Sequence, residues 1–363
     1  MDKKKGGLDR RGFLKAAGWG AASLVGAGLV LKPGFARGQR LTELKLGSLP
    51  LASFAGVFLA DDLGYLKEAG IKISYENVPA AARAMAFLTT GELDIAAGGI
   101  SAALYNAVLR GLAIKVVADK GTYLPDIPNS AALMVRKDLY DKGIKSVKDW
   151  KGLKVASSAT ANVTHYHLDN ALIKSGLSDK DIEIVTMPFP QMTTAMETKA
   201  IEACEAVEPF RTTMIDRGVA AQAADMGDFF PFHQYAVIFY GEKFIKEKGE
   251  LVQGFMDAYV KGIRKYYELG PRHKTVVDSL EKHTPLKAGL LKKINPAWLD
   301  INGDVNEKDL DDQQTWYLKK GFVPRRADIN KLVDKTFLEA TWKKLGKEKN
   351  PGKEYWEKVN TGS

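Results

Sequence analysis

Two glutamates three residues apart, Glu205 and Glu208, close the short apolar run Ala203-Cys204-Glu205-Ala206-Val207-Glu208-Pro209. A carboxylate pair of this kind can exchange protons with a substrate when a nucleophile or a metal stands beside it. The sequence supplies neither companion. His165 and His167 are two apart on a predicted helix and so point to different faces, a poor chelating pair, while His233, His273 and His283 are scattered. Cys204 is the sole cysteine, which excludes an intrachain disulfide, and with no activating base nearby it reads as a small buried hydrophobe. There is no Walker loop, no G-x-G-x-x-G after a strand and no G-x-S-x-G elbow. The glutamates therefore read as hydrogen-bond acceptors or surface charges, and the chain as a binding protein without metal, cofactor or catalytic residues.

The stretch best suited to holding a small polar group is Lys154 to Thr164. Lys154-Val155-Ala156 alternates as a strand does, Ser157-Ser158-Ala159-Thr160-Ala161-Asn162 is small and polar, and Thr164, Leu168, Ala171 and Leu172 then share one face of a helix that ends at Gly176. A strand, a polar turn and a helix start present unpaired N–H groups and hydroxyls at the positive end of a helix dipole. The same residues also make an ordinary cap.

The rest of the chain supplies elements to position that turn. Strands predicted over 44–49, 71–76, 93–97 and 114–118 alternate with helices over 54–63, 80–90 and 101–110. After Tyr123-Leu124-Pro125-Asp126-Ile127-Pro128-Asn129 a second series follows, with strands over 131–135, 182–186 and 203–207 and helices after Pro190 and Pro209. Such alternation predicts parallel sheets with helices on both faces. Asp228 to His233 forms a second break, Tyr235 to Tyr240 reads as a strand, and the remainder is helical, including a helix over 329–337 capped by Asp328. Two crossings predict two lobes with a hinge: 41–127 with 240–363, and 128–239. Ligands of open α/β sheets lie at the carboxyl ends of the strands. Here those turns are Ser48 to Phe54, Gly98 to Ser101, Ser157 to Asn162 and Glu205 to Pro209.

The formal charge of +9 suggests a polyanion partner until its location is considered. Seven basic and two acidic residues precede residue 37, and without them the charge falls to +4, so nucleic acid is not an expected partner. In that leader, Asp9-Arg10-Arg11-Gly12-Phe13-Leu14-Lys15 is followed by a mild apolar run, Ala16 to Leu31, with four glycines. The run is short for a membrane span, and Gly34-Phe35-Ala36 suits a cleavage site. Residues 1–36 resemble a twin-arginine signal peptide, with Asp9 where Ser or Thr is usual, which implies export of the folded chain to the periplasm.

Over its whole mature length the chain resembles type II periplasmic solute-binding proteins of ABC importers, in the nitrate, sulfonate, taurine and thiamine-precursor group. The residues that carry this are Gly64-Tyr65-Leu66-Lys67-Glu68-Ala69-Gly70-Ile71, Thr90 to Ala96, Ser146 to Val155 with Trp150 and Gly152, Ile201-Glu202-Ala203, and Glu208-Pro209-Phe210, in that order. Glu202 stands where the family has Asp. The resemblance implies a two-lobed α/β fold with a helical C-terminal region. It also implies a monomer that captures a small polar organic solute and delivers it to an inner-membrane ABC permease. The family's ligand positions fall on Ser48, Ser53, Phe54, Gly99, Ser158, Ala159, Thr160 and Asn162, with Glu205 near the hinge side. Alternatives on the same scaffold are an enzyme acting on a small metabolite and an extracytoplasmic sensor.

The sign of the ligand's charge is left open by the residues. Two carboxylates near the cleft would repel sulfonate or nitrate unless neutralised and would favour a ligand with amino or ring N–H donors, such as a pyrimidine. Arg83, Lys120 and Arg211 are cations that could offset them.

Overall fold

Ten strands organise the computed structural model, which describes residues 40–48, 51–78 and 81–361. They are β1 (Thr42–Ser48), β2 (Ile71–Asn77), β3 (Ile95–Gly99), β4 (Ile114–Thr122), β5 (Ala131–Arg136), β6 (Lys154–Ser157), β7 (Glu183–Thr186), β8 (Ala203–Val207), β9 (Ala220–Asp225) and β10 (Gln234–Gly241). The first sheet has the order β2-β1-β3-β10-β4 and the second β7-β6-β8-β5-β9. The residues from Arg40 onward form one compact unit, so both sheets belong to a single body. The expected signal segment, 1–36, lies outside the described residues.

The sheets are mixed, not parallel as the alternation predicted. β1 runs parallel to β2 and β3, and β6 parallel to β7 and β8, each joined through helices. β10 lies antiparallel between β3 and β4, and β5 antiparallel between β8 and β9. These two are the strands by which the chain enters a sheet from the other one. No helical crossover precedes them, so the handedness rule that aligns βαβ neighbours does not act on them. β9 was not foreseen, because Ala220-Ala221-Gln222-Ala223-Ala224 lacks the branched and aromatic residues that mark a strand and gains its conformation from pairing with β5.

β10, which contains residues 234–239 of the stretch 128–239 assigned by sequence to one lobe, is hydrogen-bonded into the first sheet, and residues 226–233 lead into it from β9.

Helices cover both sheets. Helix Ala55–Asp62 packs against the long helix Gly249–Leu269, whose inward stripe includes Phe255, Tyr259, Ile263 and Tyr266. Their backbones approach so closely that a Cβ on Gly262 would stand 2.0 Å from the carbonyl oxygen of Gly56. The helix predicted over 329–337 is interrupted. It forms as Ile329–Leu332, capped by Asp328, and Thr336–Leu345, because Val333 bridges to Val116 and Asp334 N donates to the Val116 carbonyl at 2.9 Å. The edge of β4 offers an acceptor that the local helical pattern does not register. Under the second sheet, Trp150, Leu168, Ala171 and Leu172 fill one face and Met192, Met196, Cys204 and Met214 the other. Among the described residues no helix is long and apolar enough to cross a membrane.

Candidate functional site

The strand ends of both sheets face one cavity of about 860 Å³. From the first sheet come the turn after β1 (Leu51 to Phe54), the end of β3 with Gly98 to Ser101, Lys120 of β4 and Tyr235 of β10. From the second come Ser158 to Thr164, Pro188 to Pro190, and Glu205, Val207 and Glu208. The two walls touch at helix starts: Ser101 bridges to Asn162, and Ala102 N donates to the Ala161 carbonyl at 3.0 Å.

The polar turn after β6 is at once a cap and a wall of the cavity. Asn162 caps helix Val163–Lys174, its Oδ1 accepting from His165 N at 3.1 Å and from Thr164 Oγ1 at 2.9 Å. Thr164 Oγ1 also meets Ser157 Oγ at 3.0 Å and Ser158 Oγ at 2.8 Å, and Asn162 Nδ2 donates to Ser158 Oγ at 2.8 Å. The hydroxyls hold the turn in shape through one another, with Ala161 in the left-handed region at φ 56°. On the facing wall a Cβ on Gly99 would come 3.2 Å from Val163 Cγ1, whereas Gly98 has open space beside it.

Three acidic or basic side chains line the cavity, Glu208, Glu205 and Lys120. Glu208 is fully engaged: Arg211 Nη1, Thr212 N, Thr212 Oγ1 and Asn295 N all donate to it at 2.9 to 3.1 Å. Glu205, 2% exposed, lies 3.0 Å from His167 Nδ1. Burial pushes the Glu205 carboxyl up to about 8 and the His167 imidazole down to about 3, so the pair is held without net charge. Lys120, 4% exposed, donates from Nζ to Ser53 Oγ at 2.6 Å and lies 4.1 Å from the centre of the Phe54 ring. Burial lowers it to about 7, against the pull of Asp119.

Aromatic rings complete the walls. Tyr123 and Tyr235 stack with centroids 4.4 Å apart and planes 23° apart. Gly121 makes room for them, since a Cβ there would stand 2.4 Å from the Tyr235 ring.

Of the residues singled out from sequence, Ser53, Phe54, Gly99, Ser158, Ala159, Thr160, Asn162 and Glu205 line this cavity together. Ser48 ends β1, and its side chain is outside the described set. Arg83 lies over the Phe87 ring and Arg211 is spent on Glu208 and Gln222, so of the three cations considered Lys120 alone lines the cavity. Tyr123, Tyr235 and Phe189 were missed as wall residues, and so was the partner of Glu205. A lysine two positions after the apolar run Ile114 to Ala118 was the signal available for Lys120.

Residues 37–278 match the NMT1-like family. A curated relative, the nitrate import ATP-binding protein NrtC of Synechocystis sp. (strain ATCC 27184 / PCC 6803 / Kazusa), is 22% identical over 307 residues, or 80% of this chain and 45% of that protein. The chain thus spans less than half the length of this relative. Among solved structures, the periplasmic nitrate-binding protein NrtA from Synechocystis PCC 6803 is similar with a TM-score of 0.70 and 14% identity, covering 86% of this chain and 92% of that one. The desulfurization enzyme DSZB is similar with a TM-score of 0.61 and 15% identity, over 83% and 99%. At these identities the likeness is one of fold: a two-sheet α/β architecture shared with periplasmic binding proteins, carrying a helical C-terminal region.

Proposed function

Because the chain belongs to the NMT1-like family, we propose that it is the solute-binding component of an ABC import system, one that closes on a small organic solute and hands it to an inner-membrane permease. The observation that carries this reading is the cavity itself, enclosed between two sheets between which the described chain crosses at 123–130 and 226–233. In the proposed division, residues 40–122 and 234–361 form one lobe and 131–225 the other, with the passages as hinge. Ser53, Phe54, Gly99, Ser158, Ala159, Thr160, Asn162 and Glu205 would contact the solute. The proposal extends to export by the twin-arginine route, a periplasmic location and a monomeric state.

One contact favours a second reading. Ser53 Oγ beside a lysine amine of lowered basicity suits a nucleophile with its base, so an enzyme on the same scaffold is the rival.

The deciding experiment is native mass spectrometry of the purified protein, followed by return of the released solute to protein stripped by unfolding and refolding. The receptor reading expects rebinding of the intact solute and a smaller radius of gyration in X-ray scattering. Conversion of the solute would establish the enzyme, and refolded protein that neither rebinds nor contracts would overturn the receptor reading.

A further inference from the structure

Lys120 is the cavity's unanswered charge. Among the described residues no carboxylate lies within ion-pair distance of its Nζ, and the one hydrogen bond it makes there goes to Ser53. Its neighbour Asp119 is engaged elsewhere and accepts from Gly121 N, Thr122 Oγ1, Gln234 Nε2 and Asp300 N. A buried ammonium without a counter-ion is costly, and an anion bound at that point removes the cost. The Ser53 hydroxyl, already accepting from Lys120, is left with its own proton to donate, so two donors stand side by side, as the two oxygens of a carboxylate require.

Flat apolar surface surrounds these donors. The Phe54 ring lies under the Lys120 ammonium, the Tyr123 and Tyr235 stack forms the adjoining wall, and Phe189 with Pro188 and Pro190 comes from the other sheet. A volume of about 860 Å³ is far more than an inorganic oxyanion fills and falls in the range of organic ligands, roughly 300–1,000 Å³. Neither glutamate in the wall opposes an anion, since Glu208 is paired with Arg211 and Glu205 is held neutral with His167.

We propose that the solute is an aromatic acid with a single carboxylate, received by Lys120 and Ser53, with its ring against Phe54, Tyr123 and Tyr235. This rests on the receptor reading and narrows it.

The site also dictates a proton count. The groups around Lys120 are Asp119 behind it, pushed up to about 7 by burial and by Asp300, the uncharged phenols Tyr123, Tyr235 and Tyr259, and Glu205 on the facing wall. With Lys120 itself near 7, an arriving carboxylate recharges it, so binding above that pH takes up a proton and weakens by up to about tenfold per pH unit.

The test is titration calorimetry on stripped full-length protein with benzoate, 4-hydroxybenzoate, benzamide, benzenesulfonate, taurine and nitrate. It is run at pH 6.5 and 8.0 in phosphate and in Tris, whose heats of ionisation differ. The expected result is binding of the aromatic carboxylates, a loss of roughly ten- to a hundredfold for benzamide and for Lys120→Met, and proton uptake at pH 8.0 that disappears in Lys120→Met. Ser53→Ala gives a smaller loss in the same direction, and a melting curve for each variant shows that it is folded. Benzamide binding as well as benzoate, tighter binding of benzenesulfonate, taurine or nitrate, or unchanged affinity in Lys120→Met overturns the proposal. Where no member of the panel binds, the solute released on unfolding decides: if it rebinds, its being an aromatic acid or not supports or overturns the proposal while the receptor reading stands. If it does not rebind, both fall together.

Discussion

His167 Nδ1 meets the two carboxylate oxygens of Glu205 at 3.0 and 3.2 Å, with both side chains sealed from solvent. Desolvation is the first cause of both shifts, and it drives each partner toward its uncharged form, so the contact is better described as one proton shared by two groups than as an ion pair. A cavity that carries two glutamates by sequence therefore presents little negative charge.

This pairing sets the pH dependence of stability. Glu205 is raised from 4.5 to about 8, so its contribution is intact below the ordinary carboxyl range and is lost as pH rises toward 8; His167, lowered from 6.5 to about 3, loses its contribution as pH falls through that interval. Glu205→Gln removes the first titration and keeps the shape. Urea unfolding at pH 5.5 and 7.5 should show wild type losing about 2 to 3 kcal/mol relative to the variant between the two pH values. A constant gap would mean that Glu205 is charged in the folded protein.

The leader makes a prediction of a different kind. If the proposed export by the twin-arginine route holds, Arg10 and Arg11, which precede a weakly apolar run, are the residues that route reads. The double variant Arg10→Lys, Arg11→Lys should accumulate in the cytoplasm, with little protein in the periplasmic fraction. Normal periplasmic levels would reject the twin-arginine assignment.

Why some of the site could be read from sequence and some not follows from the range over which each signal acts. The turns after β1, β3, β6 and β8 are local: small or polar residues between apolar runs announce themselves within ten positions, and all four reach the cavity. Strand direction is not local, because alternation looks the same either way, and β5 and β10 were accordingly misjudged. The Glu205–His167 contact joins residues 38 apart, and the Tyr123–Tyr235 stack joins residues 112 apart. The helix broken at Val333 shows the same limit, since its competitor for hydrogen bonds, Val116, lies more than two hundred residues earlier.

Gly262 tests whether the contact between helices Ala55–Asp62 and Gly249–Leu269 is as close as it stands. An added methyl would press on the carbonyl of Gly56 at 2.0 Å and on the Ala60 Cβ at 3.1 Å, neither of which can swing away as a flexible side chain would. Gly262→Ala should cost about 1 to 3 kcal/mol or more. Gly249→Ala, at the start of the same helix with open space around it, should be neutral or gain up to about 1 kcal/mol. Equal melting temperatures for the two variants would refute the close crossing.

Asp169 ties the second sheet's helix Val163–Lys174 to the C-terminal region. It is buried, and it accepts from Trp316 Nε1 at 2.6 Å and Lys320 Nζ at 2.8 Å, while Lys320 also reaches Asp179 at 2.8 Å. Trp316 lies in helix Glu307–Lys319, on the side of the proposed first lobe, so in that division this cluster joins the two lobes. Asp169→Asn keeps one acceptor for the indole but removes the carboxylate that accepts from Lys320, and a hydrogen bond between charged groups is worth about 1.5 to 3 kcal/mol. If the cluster acts as a latch, that cost falls on the closed form: the ligand-bound variant should show a larger radius of gyration in X-ray scattering and a dissociation constant raised roughly tenfold or more. If the cluster is only a structural contact within one rigid body, the variant will melt earlier while its radius and affinity stay those of wild type, and the latch is then excluded.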